Sequence, residues 1–394
     1  MQGCLYEINT LEKSLHTLIF SSVFNFCYHN TVKLMGRDMI SELPDTLLLH
    51  IMSFMNPTYA VQTCVLSKRW NHLCKRLINL TYSPIPYPPK KIGVERFKKF
   101  ASWVLSTRDH SCSLHNLSLR RCWTEPELLD KIIKYALFCN VQQLILDVYS
   151  GFRPDFESLP LIFCSRSLTS LELCIAWNYA LIVLPESLHM PVLKNLHLQG
   201  VRFTASDKDS AEPFSNCHSL NTLVLRYCWL NDDAKVLCIS NSTLSSFTSY
   251  EGQTYQILLS TPNLSFFTIK GSATHQLFST CNLSFLEAVN IDVSWDGRWA
   301  EKSSIISSNI MRWLQVLANV KKLTFTSWYP FQIMLHDFSN LISVRPEPPS
   351  LVRLESLKVV KHFSVDVSDE EVNTVVEYLL RGSPMAKVHI TRRA

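Results

Sequence analysis

Five segments decide how this chain folds: LHNLSL at 114–119, VQQLIL at 141–146, LTSLEL at 168–173, LKNLHL at 193–198 and LNTLVL at 220–225. Each reads apolar-x-x-apolar-x-apolar. Their central residues Leu117, Leu144, Leu171, Leu196 and Leu223 are separated by 27, 27, 25 and 27 positions. Alternation within each segment marks a half-buried strand, because side chains at i and i+2 share a face. Recurrence at a fixed interval means that each strand stacks on the next.

This triplet and period are those of leucine-rich repeats. The expected fold class is therefore α/β, a curved solenoid with a parallel sheet. Five further strands are expected at Leu244-Phe247, Leu264-Phe267-Ile269, Leu283-Leu286-Ala288, Val320-Leu323-Phe325 and Leu354-Leu357-Val359, making ten. Cys122 and Cys228 fall near the turn position of the repeat, which makes them structural rather than reactive.

Helices are expected between strands. Thr124-Glu125-Pro126-Glu127 and Ser368-Asp369-Glu370-Glu371 both read as capping boxes. The second leads into Val372, Val375, Val376, Leu379 and Leu380, stops at Gly382 and should close the solenoid. A helix over 94–106, with Phe97, Phe100, Ala101, Val104 and Leu105 inward, should cap its start.

Upstream, three short helices are legible between Ser41 and Leu77. Pro44 and Asp45 suit a first turn, followed by Leu47, Leu48, Ile51 and Phe54 at helical spacing. Asn56-Pro57 breaks that helix and restarts one carrying Ala60, Val61, Cys64 and Val65. Ser67 can cap a third with Trp70, Leu73 and Leu77. So small a unit cannot bury all these apolar residues, leaving a surface that either packs on the rest of the chain or binds a partner. The run YSPIPYPPKK at 82–91 holds four prolines and reads as a stiff linker.

The 394 residues are 47% hydrophobic, as in a folded chain, and the net charge of +5 gives no case for a nucleic-acid-binding stripe. Thirteen cysteines occur without a C-x-x-C pair, so neither a disulfide framework nor a zinc knuckle stands out. His110, Cys112 and His115 lack an obvious fourth ligand, and no metal site is expected. The apolar stretch at 15–28 is too short to span a bilayer and lacks a basic n-region. The nine glycines lie at least 19 residues apart, which excludes phosphate-cradling loops. No catalytic site and no cofactor are expected.

The run LPDTLLLHIMSFMNPTYAVQTCVLSKRWNHL at 43–73 closely resembles the F-box of plant F-box/leucine-rich-repeat proteins, through Leu43-Pro44, the Leu-rich first helix and Val65-Leu66-Ser67-Lys68-Arg69-Trp70. The resemblance implies a substrate-recognition subunit of an SCF-type cullin–RING ubiquitin ligase. The module would bind a SKP-family adaptor, and through it a cullin, while the repeats hold an unknown target protein. Adaptor-facing residues would be Leu43, Pro44, Leu47, Leu48, Ile51, Val65, Leu66 and Trp70. It implies location in the cytoplasm or nucleus, with no membrane or nucleic-acid partner. Other readings are a scaffold that binds without degradation and a hormone-sensing receptor.

In each repeat the residue between the last two apolar positions points away from the core. That places Ser118, Ile145, Glu172, His197, Val224, Thr248, Thr268 and Glu287 on the concave face. Arg120, Asp147, Arg226 and Lys270 should share it two residues on. The candidate target-binding set is Arg120, Asp147, Glu172, His197, Arg226 and Lys270. The expected organisation is an extension at 1–36, F-box at 38–80, linker at 81–92, solenoid at 93–350 and a cap resembling the FBD domain at 351–394.

Overall fold

The computed structural model describes residues 40–393, apart from 41, 56–59, 61–62, 64–65, 84–90, 150–157, 177–181, 208, 232–233, 251–254, 272, 274, 294–298, 328, 341–347 and 363–367. The expected N-terminal extension, most of the second helix and the proline run lie outside the described residues.

The chain opens with α1 (Asp45–Ser53) and α2 (Lys68–Cys74). Ser67 caps α2 as its sequence suggests, its hydroxyl accepting from the Trp70 N–H at 3.4 Å. Strand β1 (Asn79–Tyr82) and helix α3 (Lys91–Thr107) follow. Next come β2 (Asn116–Trp123), α4 (Pro126–Phe138), β3 (Gln143–Tyr149), α5 (Leu159–Ile162) and β4 (Ser170–Ala176). Among the described residues the regular elements of the middle of the chain are strands: β5 (Ile182–Val183), β6 (Asn195–Gln199), β7 (Val201–Phe203), β8 (Ser210–Ala211), β9 (Thr222–Arg226), β10 (Trp229–Leu230), β11 (Val236–Ser240), β12 (Ser246–Ser249), β13 (Gln256–Ser260), β14 (Phe266–Gly271), β15 (Gln276–Ser279) and β16 (Ala288–Val293). Helices return with α6 (Trp299–Val316), β17 (Lys322–Phe325), α7 (Tyr329–Asn340), β18 (Ser356–His362), α8 (Asp369–Leu379) and β19 (Lys387–Arg393).

Twelve strands form one sheet in chain order, β1-β2-β3-β4-β6-β9-β12-β14-β16-β17-β18-β19, every pair parallel. Stacked repeats make an open parallel sheet whose strands follow one another in chain order, the intervening strands lying in separate sheets. The first five apolar triplets point into one continuous core, with Leu117, Leu144, Leu171, Leu196 and Leu223 buried.

Several expectations need correcting. The sheet has two more strands than expected, β1 and β19. The latter follows the last helix, so α8 is not the closing element. The connections of the middle repeats are strands, not helices: β10-β7-β5 and β15-β13-β11-β8 form two further parallel sheets. A strand advances about 3.3 Å per residue against 1.5 Å in a helix, so a strand-built return needs fewer residues. Asn116 pairs with Gln143, 27 residues on, but Ser246 pairs with Phe266, only 20 on.

The eighth triplet is out of place as well. Phe267 registers with Val289 and Thr268 with Asn290, so Val289 and Ile291 take the core positions assigned to Leu286 and Ala288. At 124–127 no capping box forms. Glu125 stands at the N-cap without a side-chain hydrogen bond. The box at Ser368 and Glu371 does form.

The cysteine turns are built alike. Arg121 and Tyr227 both take left-handed backbone, with φ of 54° and 48°. Each precedes a buried cysteine that donates back across the turn, Cys122 Sγ to Arg120 O at 3.3 Å and Cys228 Sγ to Arg226 O at 3.4 Å. Burial raises both thiols, Cys228 to about 12. These are structural thiols.

Candidate functional site

Helix α1 sorts its residues by face. Leu48 and Met52 are 0% and 1% exposed and pack with Ala60, Leu73, Cys74 and Leu77. Leu47, Ile51 and Phe54, spaced four and three residues apart on the other side, are 48%, 36% and 53% exposed. Leu66, just before α2, is exposed too, as is Pro44, while Leu43 is half-buried. The pair Asp45–Arg69 at 2.7 Å, with Arg69 also donating to Leu43 O, fixes the start of α1 against α2.

Of the eight expected adaptor-facing residues, Leu47, Ile51, Leu66 and Pro44 lie on this outer surface. Leu48 and Trp70 do not: both are buried and hold the helices together, because they stand on the inner faces of α1 and α2. Val65 lies outside the described residues. Phe54 belongs to the exposed ridge, a place its i+7 spacing from Leu47 already signalled.

The module is bonded directly onto the solenoid. Asp109 N–H donates to Lys75 O at 2.9 Å and His115 N–H to Ile78 O at 2.8 Å. Between them the buried Arg108 guanidinium donates to Leu77 O, to Ser113 O at 2.6 Å and to the Tyr135 hydroxyl at 3.3 Å. The expected boundary at residue 80 therefore falls inside β1, whose Leu80 registers with Leu117 of the first triplet.

The second candidate surface is the outward face of the sheet, where register gathers the predicted polar residues. Glu172 stands opposite His197 in one row, and Arg120 opposite Asp147 in the next. Arg120 reaches Glu172 with two hydrogen bonds, at 3.0 and 3.3 Å. His197 Nδ1 lies 3.8 Å from the same carboxylate, but burial lowers its pKa, so the ring is neutral near pH 7. Burial, then the neighbouring Glu172, raises the Asp147 carboxyl. Arg226 lies 4.1 Å from the Tyr250 ring centroid and donates to its hydroxyl at 2.9 Å. Lys270 faces the same ring at 5.3 Å and Asp292 at 3.8 Å.

All six predicted target-face residues thus sit on one surface, joined by Tyr250 and Asp292, which the triplet pattern did not single out. One expected neighbour does not share it: Glu287 lies ahead of β16, paired with Lys321 at 2.7 Å, and Asn290 takes its row position. Ser118 keeps its row between Thr81 and Ile145 but is buried there. Trp123 and Tyr149 stack at 6.2 Å at the far end of β2 and β3. Among the described residues no His/Cys/Asp/Glu group could hold a metal, and no helix is long and apolar enough to cross a membrane.

These features define the class: a leucine-rich-repeat protein whose first strand grows from a helical module with an apolar outer ridge. The F-box domain profile matches residues 40–82. The leucine-rich-repeat profile of the FBD-associated F-box protein At5g56370 matches 113–293. The F-box protein At1g58310 of Arabidopsis thaliana is 28% identical over 82% of this chain and 70% of its own length. The F-box/LRR-repeat proteins At3g59190 and At3g58980 of the same plant are each 29% identical, over 48% and 75% of this chain and about half of their own lengths. The chain is thus similar to plant F-box/leucine-rich-repeat proteins, with an F-box match followed by a leucine-rich-repeat match.

Proposed function

We propose that this protein is the substrate-recognition subunit of an SCF-type cullin–RING ubiquitin ligase. The observation that carries this reading is the ridge of Leu47, Ile51 and Phe54, exposed to water inside the F-box match. Large apolar side chains recurring on one helix face are stabilised when a partner covers them. On this reading the ridge binds a SKP-family adaptor, which connects to a cullin, and the Arg120–Lys270 face holds a target protein. The chain contributes no chemistry of its own. It raises the local concentration of the target beside the ubiquitin-charged enzyme. Residues 351–394 act as an FBD-like cap, and the protein works in the cytoplasm or nucleus.

Affinity purification with the proteasome blocked tests this. The SKP-family adaptor should co-purify with the wild type and be lost with Leu47→Asp/Ile51→Asp. Proteins that accumulate with the wild type should be ubiquitinated less when Arg120 and Arg226 are replaced by Glu. An adaptor that binds the double Asp variant equally well sinks the reading.

A further inference from the structure

Three cations lie along one row of the outward face, and only two of them meet a carboxylate. Register carries the row from Arg120 through Asp147, Cys174 and Gln199 to Arg226. Tyr250 follows, its N–H donating to Leu225 O at 2.8 Å, and Lys270 stands on the next strand. Arg120 is held by Glu172, and Lys270 lies 3.8 Å from Asp292. Arg226 pairs with no carboxylate among the described residues. Its Nη2 donates to the Tyr250 hydroxyl at 2.9 Å, while Nε is buried without a partner.

The surroundings of Arg226 do not supply the missing charge. Gln199, directly opposite, is neutral, and Val224 and Thr248 fill the adjoining row. Burial, with Arg226 adding to it, lowers the His197 pKa, and the Nε2 of that ring is also buried without a partner. A half-buried guanidinium has given up part of its hydration, and a hydroxyl and a ring face return less than a carboxylate would.

The kind of anion follows from the count of charges. A planar guanidinium matches a planar carboxylate, and one unpaired cation matches one negative charge. A phosphate brings up to about two charges and would call for a second free cation. One ion pair at a surface is worth little by itself. The carboxylate therefore has to arrive on a chain whose flanking residues make their own contacts along the neighbouring rows.

We infer that this face selects targets that place one Asp or Glu side chain against Arg226, between Gln199 and Tyr250. The inference rests on the reading of the Arg120–Lys270 face as the target surface and adds the chemistry that the target must bring. Because Arg226 is half-desolvated before binding, less is lost on its side when the target covers it.

The purified full chain is used to select binders from a phage library of random peptides. The selected peptides should share an Asp or Glu at one position. Replacing that residue by Asn or Gln should weaken binding to the wild type at least about tenfold, and to Arg226→Gln less than about twofold. Arg226→Lys, which keeps the charge but not the fork, should fall between the two. Melting temperatures taken alongside separate lost binding from lost folding. Peptides without a shared acid, an acid whose replacement costs as much in Arg226→Gln as in the wild type, or displacement by free N-acetylglutamate at the peptide's own concentration would each overturn the inference. Thr248→Trp, a bulky neutral change on the same face, distinguishes its failure from that of the target-face reading. Peptides blocked by Thr248→Trp but indifferent to the acid overturn the carboxylate alone. A library that yields no peptide blocked by Thr248→Trp overturns the face as well.

Discussion

The carbonyl oxygen of Leu77 accepts two hydrogen bonds from Arg108, one from Nε and one from Nη2, each at 3.1 Å. Arg108 is 2% exposed, and it donates to neutral carbonyls and a hydroxyl. Removing it leaves the buried Leu77 O without a donor. Arg108→Met should destabilise the protein by about 3 kcal/mol. Arg108→Lys should recover only part of this, because a compact ammonium cannot span the same acceptors. Urea unfolding followed by tryptophan fluorescence measures both variants.

Adjacent residues in α1 should behave oppositely. Leu47 is half exposed, so Leu47→Asp should change stability by less than about 1 kcal/mol yet abolish adaptor capture. Leu48 is fully buried, and Leu48→Ala should cost about 2–5 kcal/mol. Thermal melts paired with a pull-down separate the two effects. A Leu47→Asp variant that melts as early as Leu48→Ala would show that the ridge is covered by the chain itself.

His275 gives the fold a pH dependence. His275 is 4% exposed, its ring tilted by 43° against that of Tyr255 at 4.3 Å, with Nδ1 3.3 Å from Tyr255 O and Nε2 unpaired. Burial lowers its pKa from 6.5 to about 4. Below pH 6.5 the unfolded chain takes up a proton that the folded chain refuses. Stability is therefore complete above that pH and falls as pH drops toward 4, by about 3 kcal/mol in all. His275→Phe should keep the aromatic contact with Tyr255 and remove this part of the slope, as measured by unfolding at a series of pH values.

Thiol labelling should follow burial. Cys164 is exposed, whereas Cys228 is buried with its thiol pushed up to about 12. Only thiolates react quickly. N-ethylmaleimide followed by mass spectrometry should modify Cys164 within minutes in the native protein and Cys228 only after unfolding.

The sequence placed nine of the twelve main strands in frame and a tenth out of frame, because the core residues of leucine-rich repeats keep their spacing whatever connects them. What it hid has particular causes. Around 283–291 the apolar residues Leu283, Leu286, Val289 and Ile291 compete with Ala288 for one triplet. Only the pairing of Phe267 with Val289 resolves the frame. The return strand β11 is as regular as the main ones, with Leu237 and Ile239 buried, but it has no triplet of its own to set it apart from a helix turn. The apolar ridge of α1 was legible as helical spacing, while the inward turn of Leu48 and Trp70 depended on packing between helices. Arg108 carried no signal, since no periodicity announces a buried cation.

Strand β1 has a mechanical consequence. Lys75, Leu77 and Ile78 leave the helical end with their carbonyls already held by Asp109, Arg108 and His115, and Leu80 is the first rung of the ladder. No joint separates the handle from the arm. Gripping α1 therefore aims the curved sheet, and a few residues inserted between Cys74 and Asn79 should swing the far end without altering either gripping surface.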